Sequence, residues 1–104
     1  MVILTTTEVP GRQITQTLGV VVGNVVQSKH VGRDIMASLK GIVGGEIKGY
    51  TEMMTDAREI AIERMKEKAL RLGADAVVNI RFSTSAIMVN ASEIMVYGTA
   101  VKLK

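Results

Sequence analysis

The side chains able to ligate a metal are one histidine, seven methionines and ten carboxylates, with no cysteine. His30, in Ser28-Lys29-His30-Val31-Gly32, falls between a strand pattern and a helix pattern, a place for a metal ligand or an anion contact. A tetrahedral zinc site takes three or four nitrogen, sulfur or oxygen ligands. One imidazole with no thiolate beside it cannot supply them within one subunit. His30 therefore reads first as a surface or capping residue, and as a metal ligand only where several copies of the chain gather their imidazoles together. Met36, Met53, Met54, Met65, Met88 and Met95 offer thioethers to a soft ion such as Cu(I), but no Met-x-Met or Met-x-x-Met cluster occurs. Core filling is the simpler role for Met54 and Met65, and subunit contact the simpler role for Met88 and Met95.

Arg33, Glu46, Tyr50, Arg58 and Arg81 are polar or amphipathic residues close to apolar segments. An anionic ligand would call on a guanidinium fork such as that of Arg58, with backbone amides at a helix start. The plainer alternative is a salt bridge from Arg58 or Arg33 to Glu46 or Asp75 of the same or the next subunit. Gly41, Gly44, Gly45 and Gly49 do not make a phosphate loop, because Lys48-Gly49-Tyr50 is not Gly-Lys-Ser/Thr and the segment is expected to lie between two helices and not after a strand. Glu59, Glu63 and Glu67 share one helical face, but Arg64, Lys66, Lys68 and Arg71 interleave with them, as on a solvated surface. With no Ser-His-acid set, no inward carboxylate pair and no dinucleotide fingerprint, the sequence predicts no enzyme and names no cofactor.

Positioning these residues falls to a short list of elements. Residues 2–5 read as a strand, and Pro10-Gly11 as a turn into a long Val-rich strand over residues 14–27. There Gly19 and Gly23 share a face with Val21 and Val25, while Leu18, Val20, Val22 and Val26 share the other. A glycine-lined face admits a close backbone or marks a bulge. Ile35, Leu39, Ile42 and Val43 recur at helical spacing and predict a short helix from Gly32 that stops at Gly44-Gly45. A second helix is predicted over residues 51–72, capped by Thr51. Its buried stripe is Tyr50, Met54, Ala57, Ala61, Met65, Ala69 and Leu72, and Gly73 terminates it. Residues 76–83 alternate, with Val78, Ile80 and Phe82 facing one way, and residues 93–103 are apolar on both faces. The connection over residues 84–92 makes these two an antiparallel hairpin.

The expected fold is therefore α+β, a small antiparallel sheet covered on one face by two helices, in one domain over residues 1–104. Two helices shield one face only, so the other needs a cover, and further copies of the chain are the economical one. The start lacks a basic n-region and a long apolar stretch, and the uncharged run of residues 13–28 is too short and polar to span a bilayer. No membrane partner and a cytoplasmic location are expected. The net charge of +3 is spread among intermingled signs without aromatic platforms, so no nucleic-acid partner is expected either.

Several segments carry a family resemblance: Gly19-Val-Val-Val-Gly23, Val31-Gly-Arg-Asp-Ile35, Gly44-Gly-Glu46, Gly49-Tyr50, Asp56-Ala-Arg58, Leu72-Gly-Ala-Asp-Ala-Val77 and Tyr97-Gly-Thr-Ala-Val101. In this order, over nearly the whole chain, they resemble the YbjQ family, small uncharacterised proteins that carry a heavy-metal-binding label. The resemblance implies a dodecin-like fold whose subunits join into a homopentameric ring. It adds Tyr97 and Thr99 to the ligand or interface candidates, as part of the segment that closes subunit contacts. The function expected is binding of a metal ion or small ligand between subunits; the alternative is a structural or protein-interaction module with no small ligand.

Overall fold

In the computed structural model, which describes residues 1–28, 42–43 and 46–104, the described residues form six strands and one helix. The strands are β1 Val2–Ile3, β2 Ile14–Ser28, β3 Ile42–Val43, β4 Glu46–Ile47, β5 Ala76–Met88 and β6 Ala91–Leu103, and the helix is α1 Lys48–Arg71. Four strands make one sheet in the order β1-β5-β6-β2, and β3 pairs with β4 in a separate hairpin. The β2–β6 and β5–β6 pairs are antiparallel, but β1 runs parallel to β5. The sheet is therefore mixed and not purely antiparallel. The N-terminal segment sets this direction by returning along the β5 edge, where Leu4 N–H donates to Val77 O and Ile80 N–H to Leu4 O.

The helix differs from expectation at its start. Strand β4 passes directly into α1 at Lys48, so the hairpin and not a Thr51 cap sets the first turn, and the expectation that no strand precedes Lys48-Gly49-Tyr50 is corrected. The shorter helix predicted from Gly32 falls largely outside the described residues, but its last two positions, Ile42 and Val43, are strand. Both are β-branched, and only Gly44-Gly45 separates Val43 from its partner Glu46, a composition that favours a tight hairpin. At its other end α1 stops as predicted. Gly73 takes a φ of 79°, its N–H donates to Leu70 O, and Ala74 N–H donates to Ala69 O. That pair of bonds is a Schellman closure, and buried Ala74 packs beside buried Ala69. Leu72, placed on the buried stripe by spacing, lies in this turn and is 47% exposed. Asp75 then ties the joint to the sheet: its N–H donates to Val101 O, and its Oδ2 accepts from Leu103 N–H at 2.8 Å.

Ala57, Ala61, Met65 and Ala69 form the buried stripe of α1 against Val21 and Val25 of β2 and Ile94, Val96 and Ala100 of β6. The small alanines let the helix lie close, and Gly23 lets it lie closer still. A Cβ built on Gly23 would overlap Ala61 O and sit 2.5 Å from Met65 N. Gly19 takes the other role open to a strand glycine. It has a φ of 128° at a register shift between Thr17 and Gly19, a bulge that turns Leu18 toward the helix-side core and away from the Val20 face. Arg64 Nη1 pins the helix to β2 by donating to Asn24 O at 2.8 Å. Met65→Ala, a truncation of a fully buried side chain, is expected to cost about 2 to 3 kcal/mol, read as a lower urea midpoint at unchanged m-value.

On the opposite face the chain supplies part of the missing cover itself. Val9 is buried with Ala76, Val78 and Val101, and Leu4, Ile14 and Leu103 pack around them. The expectation that this face has no cover within the chain is thus corrected at the end nearest β1. Beyond it, Val20 is 72% and Val26 54% exposed.

Candidate functional site

A β-bulge organises the polar part of that uncovered face. Between the paired positions Val78↔Thr99 and Arg81↔Tyr97, β5 contributes Asn79 and Ile80 while β6 contributes Gly98 alone. Asn79 takes a φ of 55°, a left-handed conformation that asparagine tolerates better than most residues, and its N–H donates to Thr6 O. The extra residue shifts the alternation. Ile80 joins Val77 in the helix-side core, where spacing alone placed it with Val78. Gly98 makes room for this swing, since a Cβ there would lie 2.7 Å from Val77 Cγ1 and 2.8 Å from Ile80 Cγ2.

Arg81 therefore emerges on the outer face, directly across from Tyr97. Its Nη1 donates to Ile80 O at 2.7 Å and Thr5 O at 3.1 Å, which fixes the guanidinium against the N-terminal segment. Tyr97, 37% exposed, stands between Arg81 of β5 and Val22 of β2. Thr99, half-buried, is the next residue of β6 on this face and is opposed by Val20 and Val78. Farther along, Asn24 Nδ2 donates to Glu93 Oε2 at 3.2 Å.

Of the residues singled out from the sequence, Tyr97 and Thr99 come together here, with Arg81. Tyr50 and Arg58 lie on α1, the layer on the other side of the sheet. Arg58 Nη2 donates to Thr55 Oγ1 at 3.2 Å, and Asp75, one proposed ion partner, is instead bonded to the Leu103 amide. His30 and Arg33, and the side-chain role of Glu46, lie outside the described residues. Glu63 and Glu67 form exposed pairs with Lys66 at 3.2 Å and Arg71 at 4.0 Å, beside an open depression of about 540 Å³ lined also by Asp56, Glu59, Ile60 and Arg64. Exposed pairs of this kind contribute little stability. Sequence reasoning missed Asn79 and Gly98; an asparagine interrupting a run of Val and Ile was the available signal.

Residues 1–104 match the family model for YbjQ, described as "Putative heavy-metal-binding". UPF0145 proteins of Colwellia psychrerythraea and Vibrio campbellii are each 67% identical to this chain, over 100% and 99% of it and 99% of each relative. One of Thermotoga maritima is 62% identical over 100% of this chain and 98% of its own. The chain belongs to the YbjQ family. A crystal structure of a DUF74 protein of unknown function from Pediococcus pentosaceus shares the fold, with a TM-score of 0.64 at 19% identity, covering 100% of this chain and 98% of that one. The YbjQ description names heavy metals, and the described carboxylates supply no cluster for one. Among the described residues no three His, Asp or Glu side chains converge, and Met65 is consumed by the core. The Tyr97-Gly98-Thr99-Ala100-Val101 segment that carries the YbjQ resemblance has a structural account: Gly98 accepts the bulge, Ala100 and Val101 enter opposite cores, and Tyr97 and Thr99 mark the outer face.

Proposed function

We propose that this protein is a non-enzymatic homo-oligomer, a closed ring of subunits that holds a small ligand where subunits meet. The observation that carries the reading is the half-covered outer face, where Val20, Val26 and Tyr97 stand exposed on a sheet whose other face is packed by α1. Shape and edges support it. The radius of gyration is 17.0 Å, against about 13 Å for a compact chain of this length. Among the described residues β2 has no outer neighbour, and the N-terminal segment lines the β5 edge only as far as Ile80. Two such edges on opposite sides of one sheet suit head-to-tail joining, which closes into a ring when the rotation permits. The family resemblance implies five subunits. The non-enzymatic part rests on the face itself, where the guanidinium and hydroxyls have no described carboxylate in hydrogen-bonding distance to act as a base.

Native mass spectrometry of protein purified without added metal or a histidine tag, with metal analysis of the same sample, tests this. A pentamer with a stoichiometric adduct is the expected result. A monomer at micromolar concentration overturns the assembly. An empty, metal-free pentamer removes the ligand and leaves a structural or protein-interaction module.

A further inference from the structure

We infer that the turn before β2 carries a binding site for a small zwitterion of the α-amino acid class, held between Glu8 and Arg12. The site lies within one chain, so it stands apart from the ligand proposed between subunits and does not need the ring. A cleft of about 500 Å³ is lined by Thr7, Glu8, Arg12, Gln13 and Ile14. That volume falls within the range of small-molecule sites, about 300–1,000 Å³. One anion, one cation, an amide and a hydroxyl therefore border the same space, with half-buried Ile14 as an apolar wall.

The backbone holds these groups in place. Arg12 N–H donates to Val9 O at 3.1 Å, and Gly11, after Pro10, takes a φ of 78°, the Pro-Gly pattern of a type II turn. Val9 is buried in the outer-face core, Asn79 N–H donates to Thr6 O, and Lys104 N–H donates to Gln13 O, so the turn is anchored on both sides. Glu8 and Arg12, four apart across this turn, do not close into an ion pair; the salt bridges among the described residues belong to Lys66 and Arg71 on α1. The side chains of Thr7 and Gln13 likewise have no described hydrogen-bond partner. The two charges choose the ligand. A phosphate-like anion would meet the like charge of Glu8, a metal cation would meet that of Arg12, and an apolar molecule would pair neither. A carboxylate for the guanidinium fork joined to an ammonium for the Glu8 carboxylate satisfies both. Glu8 and Arg12 are exposed, so solvent screens these contacts and an affinity of about 1 mM is expected.

The test titrates L-valine, N-acetylvaline, which lacks the ammonium, and valinamide, which lacks the carboxylate, into wild type, Glu8→Gln and Arg12→Gln at constant ionic strength. NMR amide shifts read the binding and its place, and light scattering reads the assembly. Valine is expected to shift Glu8, Arg12 and Gln13 saturably in wild type, and each analogue to bind about three- to fivefold more weakly. Glu8→Gln should then bind valine and N-acetylvaline alike, and Arg12→Gln should bind valine and valinamide alike. Both substitutions are at exposed positions, and if either variant fails to fold, the comparison of the three ligands on wild type still decides. Absence of saturable shifts at these residues, equal binding of the three ligands by wild type, or folded variants that keep its full discrimination overturns the site. A ring without this binding loses the site alone, whereas a monomer with it keeps the site and loses the ring.

Discussion

Gly23→Ala is expected to lower the unfolding free energy by about 4 kcal/mol, above the usual overpacking range of about 1–3, and to drop the melting temperature by about 20 °C. The added methyl would overlap Ala61 O and lie 2.5 Å from Met65 N and 3.0 Å from Ala61 C. All three atoms are helix backbone, so no rotamer change relieves the clash. The helix must lift from β2, which opens the contacts that Ala57, Ala61 and Met65 make with Val21 and Val25. The sign is informative, because alanine in place of a strand-interior glycine ordinarily stabilises by about 0.5–1 kcal/mol. Thermal and urea unfolding at one fixed protein concentration would measure it, since the concentration of an oligomer enters its apparent stability. A Gly23→Ala protein as stable as wild type would mean that α1 does not approach β2 this closely.

The same glycine shows how far the sequence could be read. Gly19 and Gly23, four apart on a strand, admitted a close backbone or a bulge; each glycine takes one of these roles, and only the structure tells which. The Ala-rich stripe of α1 was legible because helical spacing and small side chains point the same way. The bulge at Asn79 was not, since one extra residue on a strand leaves the composition unchanged while reversing every face assignment after it. A two-residue strand carries no mark of its pairing direction, so the parallel β1 was also beyond reach. Val9 stood alone among polar residues with no period to place it, which hid the partial cover of the outer face. Within the candidate site, Tyr97 and Thr99 came from a family segment and Arg81 from its proximity to apolar runs. Their meeting on one face depends on cross-strand register, which no single strand records.

Val20→Asp is expected to convert the proposed ring to monomers without unfolding the chain. Val20 is 72% exposed in the single subunit, so a carboxylate there stays hydrated and costs the isolated fold no more than about 1 kcal/mol of strand propensity. A neighbour closing over this face would bury that carboxylate beside Val22, Tyr97 and Thr99, two strands away from Arg81, whose guanidinium is held against the N-terminal segment. Burying an unpaired charge costs several kcal/mol, and even about 3 kcal/mol weakens association more than a hundredfold. Light scattering across micromolar concentrations reads the mass, and circular dichroism reads the retained helix and sheet. The variant thus separates two explanations for an apolar sheet face, because a face that meets only water tolerates aspartate in every assay. A ring that survives the substitution with its helix and sheet intact would place the subunit contact elsewhere, on the exposed apolar residues Ile60 and Leu70 of α1 or Ile87, Met88 and Val89 at the hairpin tip. A well-folded monomer would identify the outer face as the contact and set Arg81 and Tyr97 at the seam between subunits.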